Sequence, residues 1–138
     1  MPKVFCKTMI HAPANAIWQV ISDFGAACQY LTRVVNCSVE GAGIGALRTL
    51  TSPDGDTLIE RLEELDEAAH RLSYALLTNT PFNNCLTTMT VDEFGPNRAE
   101  LGWSATFEAD GLPEGEAKEL MEGALAANCV ALKQVMER

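Results

Sequence analysis

Short links between alternating segments constrain the fold of this chain more than any other feature of its sequence. Between residues 34 and 108, apolar and polar side chains alternate in strand-like runs, and the links are rich in Gly, Pro, Asn and Asp. Links of hairpin length join antiparallel neighbours, so the pattern predicts an antiparallel sheet. The predicted strands are 3–10, 34–40, 46–51, 57–63, 71–78, 85–93 and 98–108, with short helices at 13–23 and 25–31 and a loop at 79–84.

A long amphipathic segment follows the last predicted strand. Residues 114–138 carry one mostly apolar stripe at helical spacing, which predicts a helix about 37 Å long at a rise of 1.5 Å per residue. A sheet with one apolar face needs a cover, so the pattern predicts a single α+β domain over 1–138. Small residues on the stripe leave two alternatives open, a hollow beneath the helix or close packing through alanines. The stripe comprises Ala117, Leu120, Met121, Ala124, Asn128, Ala131, Leu132 and Val135.

The charge balance narrows the classes of partner. The chain has 138 residues and a net charge of −9, which argues against a nucleic-acid partner and against adsorption to an anionic membrane. No apolar run approaches the length of a membrane span, which is about 20 residues. The five cysteines show no CxxC spacing and no signal peptide is evident, so we expect free thiols and a cytoplasmic location. Two separated histidines predict no metal site, and we expect His11 and His70 to be solvated.

Two charges stand on faces that should point at the core. Alternation around the turn at 52–56 places Arg48 between apolar neighbours on one strand and Glu60 between apolar neighbours on the next. A turn centred on Asp54 makes these two residues direct cross-strand neighbours, close enough for a charge-assisted hydrogen bond. Two interpretations stay open: a buried ion pair that sets the strand register, or polar anchors on the wall of a ligand cavity.

Three further polar side chains fall on inward faces. Tyr74 and Trp103 carry polar tips that need partners when they are buried, and a buried amide at Asn128 needs several. Asn128 is either a clamp between helix and sheet or a cavity-lining group. A catalytic hypothesis uses Arg48 to polarise a carbonyl, Glu60 as a base and Tyr74 as an acid, although an ion-paired Glu60 would be a weak base.

The order of these pieces resembles the START-like, Bet v 1-like helix-grip superfamily, and within it the polyketide cyclase/dehydrase-type (SRPBCC) families. The marks are APANAIWQVISDFG (12–25), GIGALRTL (43–50), IERLEELD (59–66), RLSYALL (71–77) and LGWSATFE (101–108). The resemblance implies a curved seven-stranded antiparallel sheet around a long C-terminal helix, with two short helices between strands one and two. It also implies a cavity that binds small hydrophobic molecules such as lipids, sterols, hormones or polyketides.

Two segments, IERLEELD and PEGEAKELM, are also similar to those of the plant abscisic-acid receptors. The similarity implies that Glu60 lines the pocket, and that segments 52–56 and 80–84 correspond to the loops that close it. The first loop reads SPDGD where the receptors have Gly-Leu-Pro-Ala, which argues against hormone-type gating here.

Three functions follow as hypotheses: a binding protein for a lipid, aromatic or polyketide-like molecule, a cyclase or dehydratase, or an interaction module with a collapsed cavity. We expect no cofactor, and a monomer or a homodimer. The predicted ligand-binding residues are Tyr30, Arg48, Leu50, Glu60, Leu62, Tyr74, Leu76, Pro81, Cys85, Thr87, Met89, Trp103, Ala105, Phe107, Met121, Ala124 and Asn128.

Overall fold

The computed structural model describes residues 1–78 and 80–138. Its elements follow the predicted order, with a 3₁₀ helix (Phe24–Gln29) after the first α-helix. The strands are β1 (Lys3–Ile10), β2 (Asn36–Glu40), β3 (Leu47–Thr51), β4 (Thr57–Asp66), β5 (Arg71–Leu76), β6 (Phe82–Glu93) and β7 (Ala99–Ala109), and the α-helices are α1 (Ala14–Ser22) and α2 (Glu114–Met136).

The seven strands form one curved antiparallel sheet in the order β1-β7-β6-β5-β4-β3-β2. The fold class predicted from the sequence is therefore confirmed. The predicted loop at 79–84 is wrong from Phe82 onward, because β6 begins there and Phe82 pairs with Ala109 of β7. The prediction for Asn79 lies outside the described residues. A register shift between Asn83 and Leu86 hides this start in the sequence, since it interrupts the alternation on which the prediction relied.

Alternation decides which sheet face is buried. On β6 the predicted inward set, Cys85, Thr87, Met89 and Val91, is buried, and this prediction is confirmed. On β7 the apolar set is also buried, while its outward neighbours are at least partly exposed. The two strands form the centre of the core because each is long and each pairs on both sides.

The first helix closes one end of the core. Ile17, Trp18 and Ile21 of α1 are buried at helical spacing. The Trp18 indole donates a hydrogen bond to Glu67 and stacks on the His70 ring, with centroids 5.2 Å apart. His70 is therefore half-buried rather than solvated as predicted, whereas His11 is exposed.

The long helix packs on the sheet through a face that only partly overlaps the predicted stripe, since Ala117, Met121 and Leu132 are buried as predicted. Its buried residues are Ala117, Met121, Leu125, Cys129 and Leu132, and its main contacts are with β1 and β7. Leu120 of the predicted stripe is 55% exposed. Part of the predicted stripe is wrong because α2 rests on one edge of the sheet. The second flank of the helix, which carries Leu120, Ala124 and Asn128, faces an opening rather than a strand. None of the described helices is both long and apolar enough to cross a bilayer.

Candidate functional site

An open cavity of about 710 Å³ lies between the second flank of α2 and strands β3 to β6. The segment 31–34 and the segment 80–82 border it. This volume is typical of small-molecule sites, which span about 300–1,000 Å³. Of the two alternatives left open by the small residues of α2, the structure has the hollow. Gly123, Ala124 and Ala127 line it because their short side chains leave the space unfilled.

Most of the predicted ligand-binding residues line this cavity. Those on its wall are Leu50, Glu60, Tyr74, Leu76, Pro81, Cys85, Thr87, Met121, Ala124 and Asn128. Those in the surrounding core, off the wall, are Tyr30, Arg48, Leu62, Met89, Trp103, Ala105 and Phe107. The residues of the second group point inward, as the alternation predicted, but other side chains separate them from the cavity. Alternation identifies an inward face and does not tell a cavity wall from packed core.

Several lining residues were not among the predicted ligand-binding residues. Leu58 shares a strand face with Glu60, which is a signal that could have identified it. Leu120 belonged to the predicted stripe of α2 but was not taken as a ligand contact. The segment 31–34 has no periodicity that could have placed it. The other unpredicted lining residues are Thr80, Phe82, Glu119, Gly123, Leu125 and Ala127.

The inward charges form a buried ion pair beside the cavity. Arg48 and Glu60 are direct partners in the β3–β4 register, as predicted. Arg48 Nε donates a hydrogen bond to Oε1 of Glu60 at 2.8 Å, and Nη2 forms an ion pair with the same oxygen at 2.8 Å. The guanidinium also packs against two rings that contact each other, 4.1 Å from the Phe24 centroid and 4.5 Å from that of Tyr74. Its Nη1 donates to the Phe24 carbonyl at 3.3 Å, so Arg48 is fully enclosed and only 1% exposed.

The two oxygens of the Glu60 carboxylate have different surroundings. Oε1 holds Arg48, whereas Oε2 receives no hydrogen bond from any residue that the structure describes. The Glu60 side chain lines the cavity and keeps 12% of its surface exposed. Burial raises the pKa of this carboxyl above its ordinary value, and the attraction of Arg48 opposes that shift only in part. The cavity wall therefore offers one unsatisfied carboxylate oxygen.

Tyr74 stands next to this carboxylate. Its hydroxyl accepts a hydrogen bond from the Trp103 indole at 3.3 Å. Burial, reinforced by the charge of Glu60, raises the pKa of Tyr74 well above its ordinary value, so the phenol is neutral at physiological pH. Tyr30 packs edge-on against Trp103 with centroids 6.1 Å apart. Its buried hydroxyl has no hydrogen-bond partner within residues 1–78 and 80–138.

Asn128 both lines the cavity and acts as a clamp. Its Oδ1 accepts hydrogen bonds from the Thr32 backbone N–H at 3.2 Å and from the Thr32 hydroxyl at 3.0 Å. The clamp joins α2 to the segment 31–34 and not to the sheet, so of the two alternatives left open for Asn128 the structure has the cavity-lining group. This contact fixes one side of the cavity mouth.

The site suits binding or acid–base chemistry by side chains. No group of three or more His, Cys, Asp or Glu close enough to hold a metal ion occurs in the described part of the chain. All five cysteines are free thiols. The polar groups available to a molecule in the cavity include Glu60 Oε2 and the side chains of Thr87 and Asn128.

A family model described as polyketide cyclase / dehydrase and lipid transport matches residues 1–137. The chain belongs to this family. The recognition made from the sequence is therefore confirmed, since the match spans nearly the whole chain.

Solved structures of similar proteins support the family at the level of fold. The protein XoxI from Bacillus cereus is 28% identical, with 99% of this chain and 96% of that chain covered and a TM-score of 0.90. A START superfamily protein from Mycobacterium smegmatis is 19% identical, with 98% and 97% covered and a TM-score of 0.84. The Zhui aromatase/cyclase from a Streptomyces species is 19% identical, with 98% and 90% covered and a TM-score of 0.77. At such identities the last two show a shared fold alone.

Proposed function

We propose that this protein binds a small, mainly apolar molecule in the cavity between α2 and the sheet. One observation carries the proposal: an open cavity of about 710 Å³ has mostly apolar walls and one carboxylate oxygen that accepts no hydrogen bond from the described residues. Ligand sites combine apolar walls with a few placed polar groups in this way. A ligand that donates a hydrogen bond to Glu60 would occupy the acceptor position that the described residues leave free.

The proposed contacts divide into an apolar and a polar set. The apolar set grips the body of the ligand, and the polar set orients it through hydrogen bonds. The apolar contacts are Leu50, Leu76, Pro81, Cys85, Met121 and Ala124, and the polar contacts are Glu60, Tyr74, Thr87 and Asn128. Arg48 is not among the contacts that we propose, because Phe24, Tyr74 and Glu60 enclose it.

A second candidate function is cyclase or dehydratase chemistry in the same cavity. Its specific support is the raised pKa of Glu60, since a carboxylate tuned upward is a better general base near neutral pH. Tyr74 stays protonated and could donate to a developing oxyanion. The family description includes both cyclase or dehydrase chemistry and lipid transport, so it favours neither function over the other.

The proposal is tested by native mass spectrometry of the purified protein, followed by a thermal-shift screen. The panel contains fatty acids, sterols, flavonoids and small aromatic polyketides. A matched pair of variants on α2 locates the site: Ala124→Trp fills the cavity, whereas Ala126→Trp adds the same ring at an exposed position off its wall. We expect a compound that raises the melting temperature of wild type and Ala126→Trp but not of Ala124→Trp. No adduct and no shift across the panel would refute a ligand cavity.

Glu60→Gln separates a binder from an enzyme once a ligand is known. The amide keeps the size of the side chain and removes its basicity. A binder then loses affinity for a donating ligand, while an enzyme loses turnover with binding largely kept. Glu63→Gln is the control, because Glu63 lies on the same strand, pairs with Arg61 and faces solvent.

A further inference from the structure

The cavity is electrically asymmetric along its depth. Its inner wall carries the carboxylate of Glu60, and its mouth carries the guanidinium of Arg33. Glu60 is nearly buried, whereas Arg33 is exposed. An elongated ligand therefore meets a negative charge at the inner wall and a positive charge at the mouth. These charges decide which end of the ligand lies inside.

The inner end disfavours an anion. Glu60 lines the cavity and its Oε2 accepts no hydrogen bond from the described residues, while the nearby cation Arg48 is held on Oε1 and packs against two rings. A carboxylate placed here would meet a like charge in a poorly solvated site. A hydroxyl or another neutral donor would instead complete the hydrogen bonding of Glu60.

The outer end favours an anion. Arg33 lines the mouth and makes no ion pair with any residue in the described ranges. Its backbone has φ 63°, in the left-handed region that non-glycine residues rarely adopt. The preceding residue, Thr32, is fixed to Asn128 by two hydrogen bonds. The clamp thus holds a free cation beside the opening, and strained backbone of this kind clusters at ligand sites.

Glu119 is an opposing charge that lines the same cavity, and it makes no ion pair with Arg33 in the described residues. Thr32 is fixed at Asn128, nine residues further along α2, which corresponds to about 13 Å along the helix axis. The Debye length at physiological ionic strength is about 8 Å, so solvent weakens the repulsion between Glu119 and an anion held next to Arg33. The net charge of −9 acts at longer range and is screened in the same way.

We propose that the ligand is a linear amphiphile that inserts a hydroxyl end toward Glu60 and leaves an anionic end, such as a carboxylate, at Arg33. This inference rests on the proposed binding function and names the ligand class of the same site. An ω-hydroxy fatty acid has the required chemistry: a neutral donor, an apolar body and an anion at opposite ends.

Isothermal titration calorimetry with three probes tests both ends. The probes are ω-hydroxydodecanoic acid, its methyl ester and dodecanoic acid. We expect the free hydroxy acid to bind wild type more tightly than its ester, and Arg33→Gln to lose that preference, a change of roughly two- to fivefold for a solvent-exposed charge contact. Arg98→Gln is the control, because it makes the same charge change at an exposed turn away from the cavity. Glu60→Gln should weaken the hydroxy acid more than dodecanoic acid.

Each outcome decides one part of the argument. Equal binding of acid and ester, or a preference that survives Arg33→Gln, overturns the anion contact and leaves the binding function standing. Equal sensitivity of both acids to Glu60→Gln overturns the inner hydroxyl contact. If none of the three probes binds and the earlier panel also fails, the binding function itself is refuted; if only these three fail, the ligand class is wrong.

Discussion

Replacing Arg48 by methionine removes the partner of the buried Glu60 carboxylate and keeps a long side chain against the rings of Phe24 and Tyr74. The N–O distance in the pair is 2.8 Å. Two unit charges about 4 Å apart attract by about 4 kcal/mol at an effective dielectric constant of about 20. Breaking a buried pair by removing one partner costs about 3–5 kcal/mol, so we expect Arg48→Met to lower the free energy of unfolding by that amount at pH 7.

The double variant Arg48→Met/Glu60→Leu shows whether this cost belongs to the isolated carboxylate. Removing both charges also removes the desolvation penalty, and apolar residues of similar volume are often neutral or stabilising by about 1–4 kcal/mol. We therefore expect the double variant to be more stable than Arg48→Met alone. Arg61→Met is the control. Arg61 pairs with Glu63 on the exposed face of β4, the strand that also carries Glu60, and an exposed pair contributes about 1 kcal/mol or less.

Urea unfolding at 25 °C, followed by the fluorescence of the two tryptophans, measures these differences. In thermal unfolding, the single variant should lose roughly 9–15 °C at about 3 °C per kcal/mol for a chain of this size. The reasoning is refuted if Arg48→Met costs less than the Arg61→Met control. It is also refuted if the effects of Arg48→Met and of Glu60→Leu, each measured alone, add up to the effect of the double variant, since additivity would mean that the charges do not interact.

Three other predictions use groups around the same core. Tyr30→Phe should leave the melting temperature unchanged or raise it, because the lost hydroxyl has no hydrogen-bond partner among the described residues. Tyr74→Phe should lower the free energy of unfolding by about 1–3 kcal/mol, because it leaves the Trp103 indole N–H unpaired. Thermal unfolding of the two variants compares them. The pKa of Glu60 is higher in the folded state than its ordinary value of 4.5. The stability that the protonated carboxyl contributes is therefore present below pH 4.5 and is lost as the pH rises from 4.5 through the pKa of the folded state. The difference in unfolding free energy between wild type and Glu60→Gln should fall over that range, and a difference that rises with pH would contradict the pKa direction. Burial raises the pKa of Cys129 to about 12, so a disulfide reagent at pH 8 should modify the exposed Cys28 before Cys129, which should react only on unfolding, as read by peptide mass mapping.

Local rules predicted the parts of the site that depend on neighbours in sequence. The turn at 52–56 has fixed length, so it sets Arg48 opposite Glu60, and alternation turns both side chains inward. The same rules predicted the buried faces of β6 and β7. They failed at Phe82, where a register shift breaks the alternation, and on α2, where helical spacing shows an apolar stripe but not how the helix tilts onto the sheet.

The sequence by itself determined the order of elements, the antiparallel pairing and the inward direction of an arginine and a glutamate. These follow from side-chain period and turn length, which act over a few residues. Only the tertiary structure decided that Phe24 and Tyr74 enclose Arg48, and that one oxygen of Glu60 is left for the cavity. It also decided that Asn128 holds Thr32 at the mouth. These contacts join segments far apart in the chain, and their distances depend on how the helix and the curved sheet pack together.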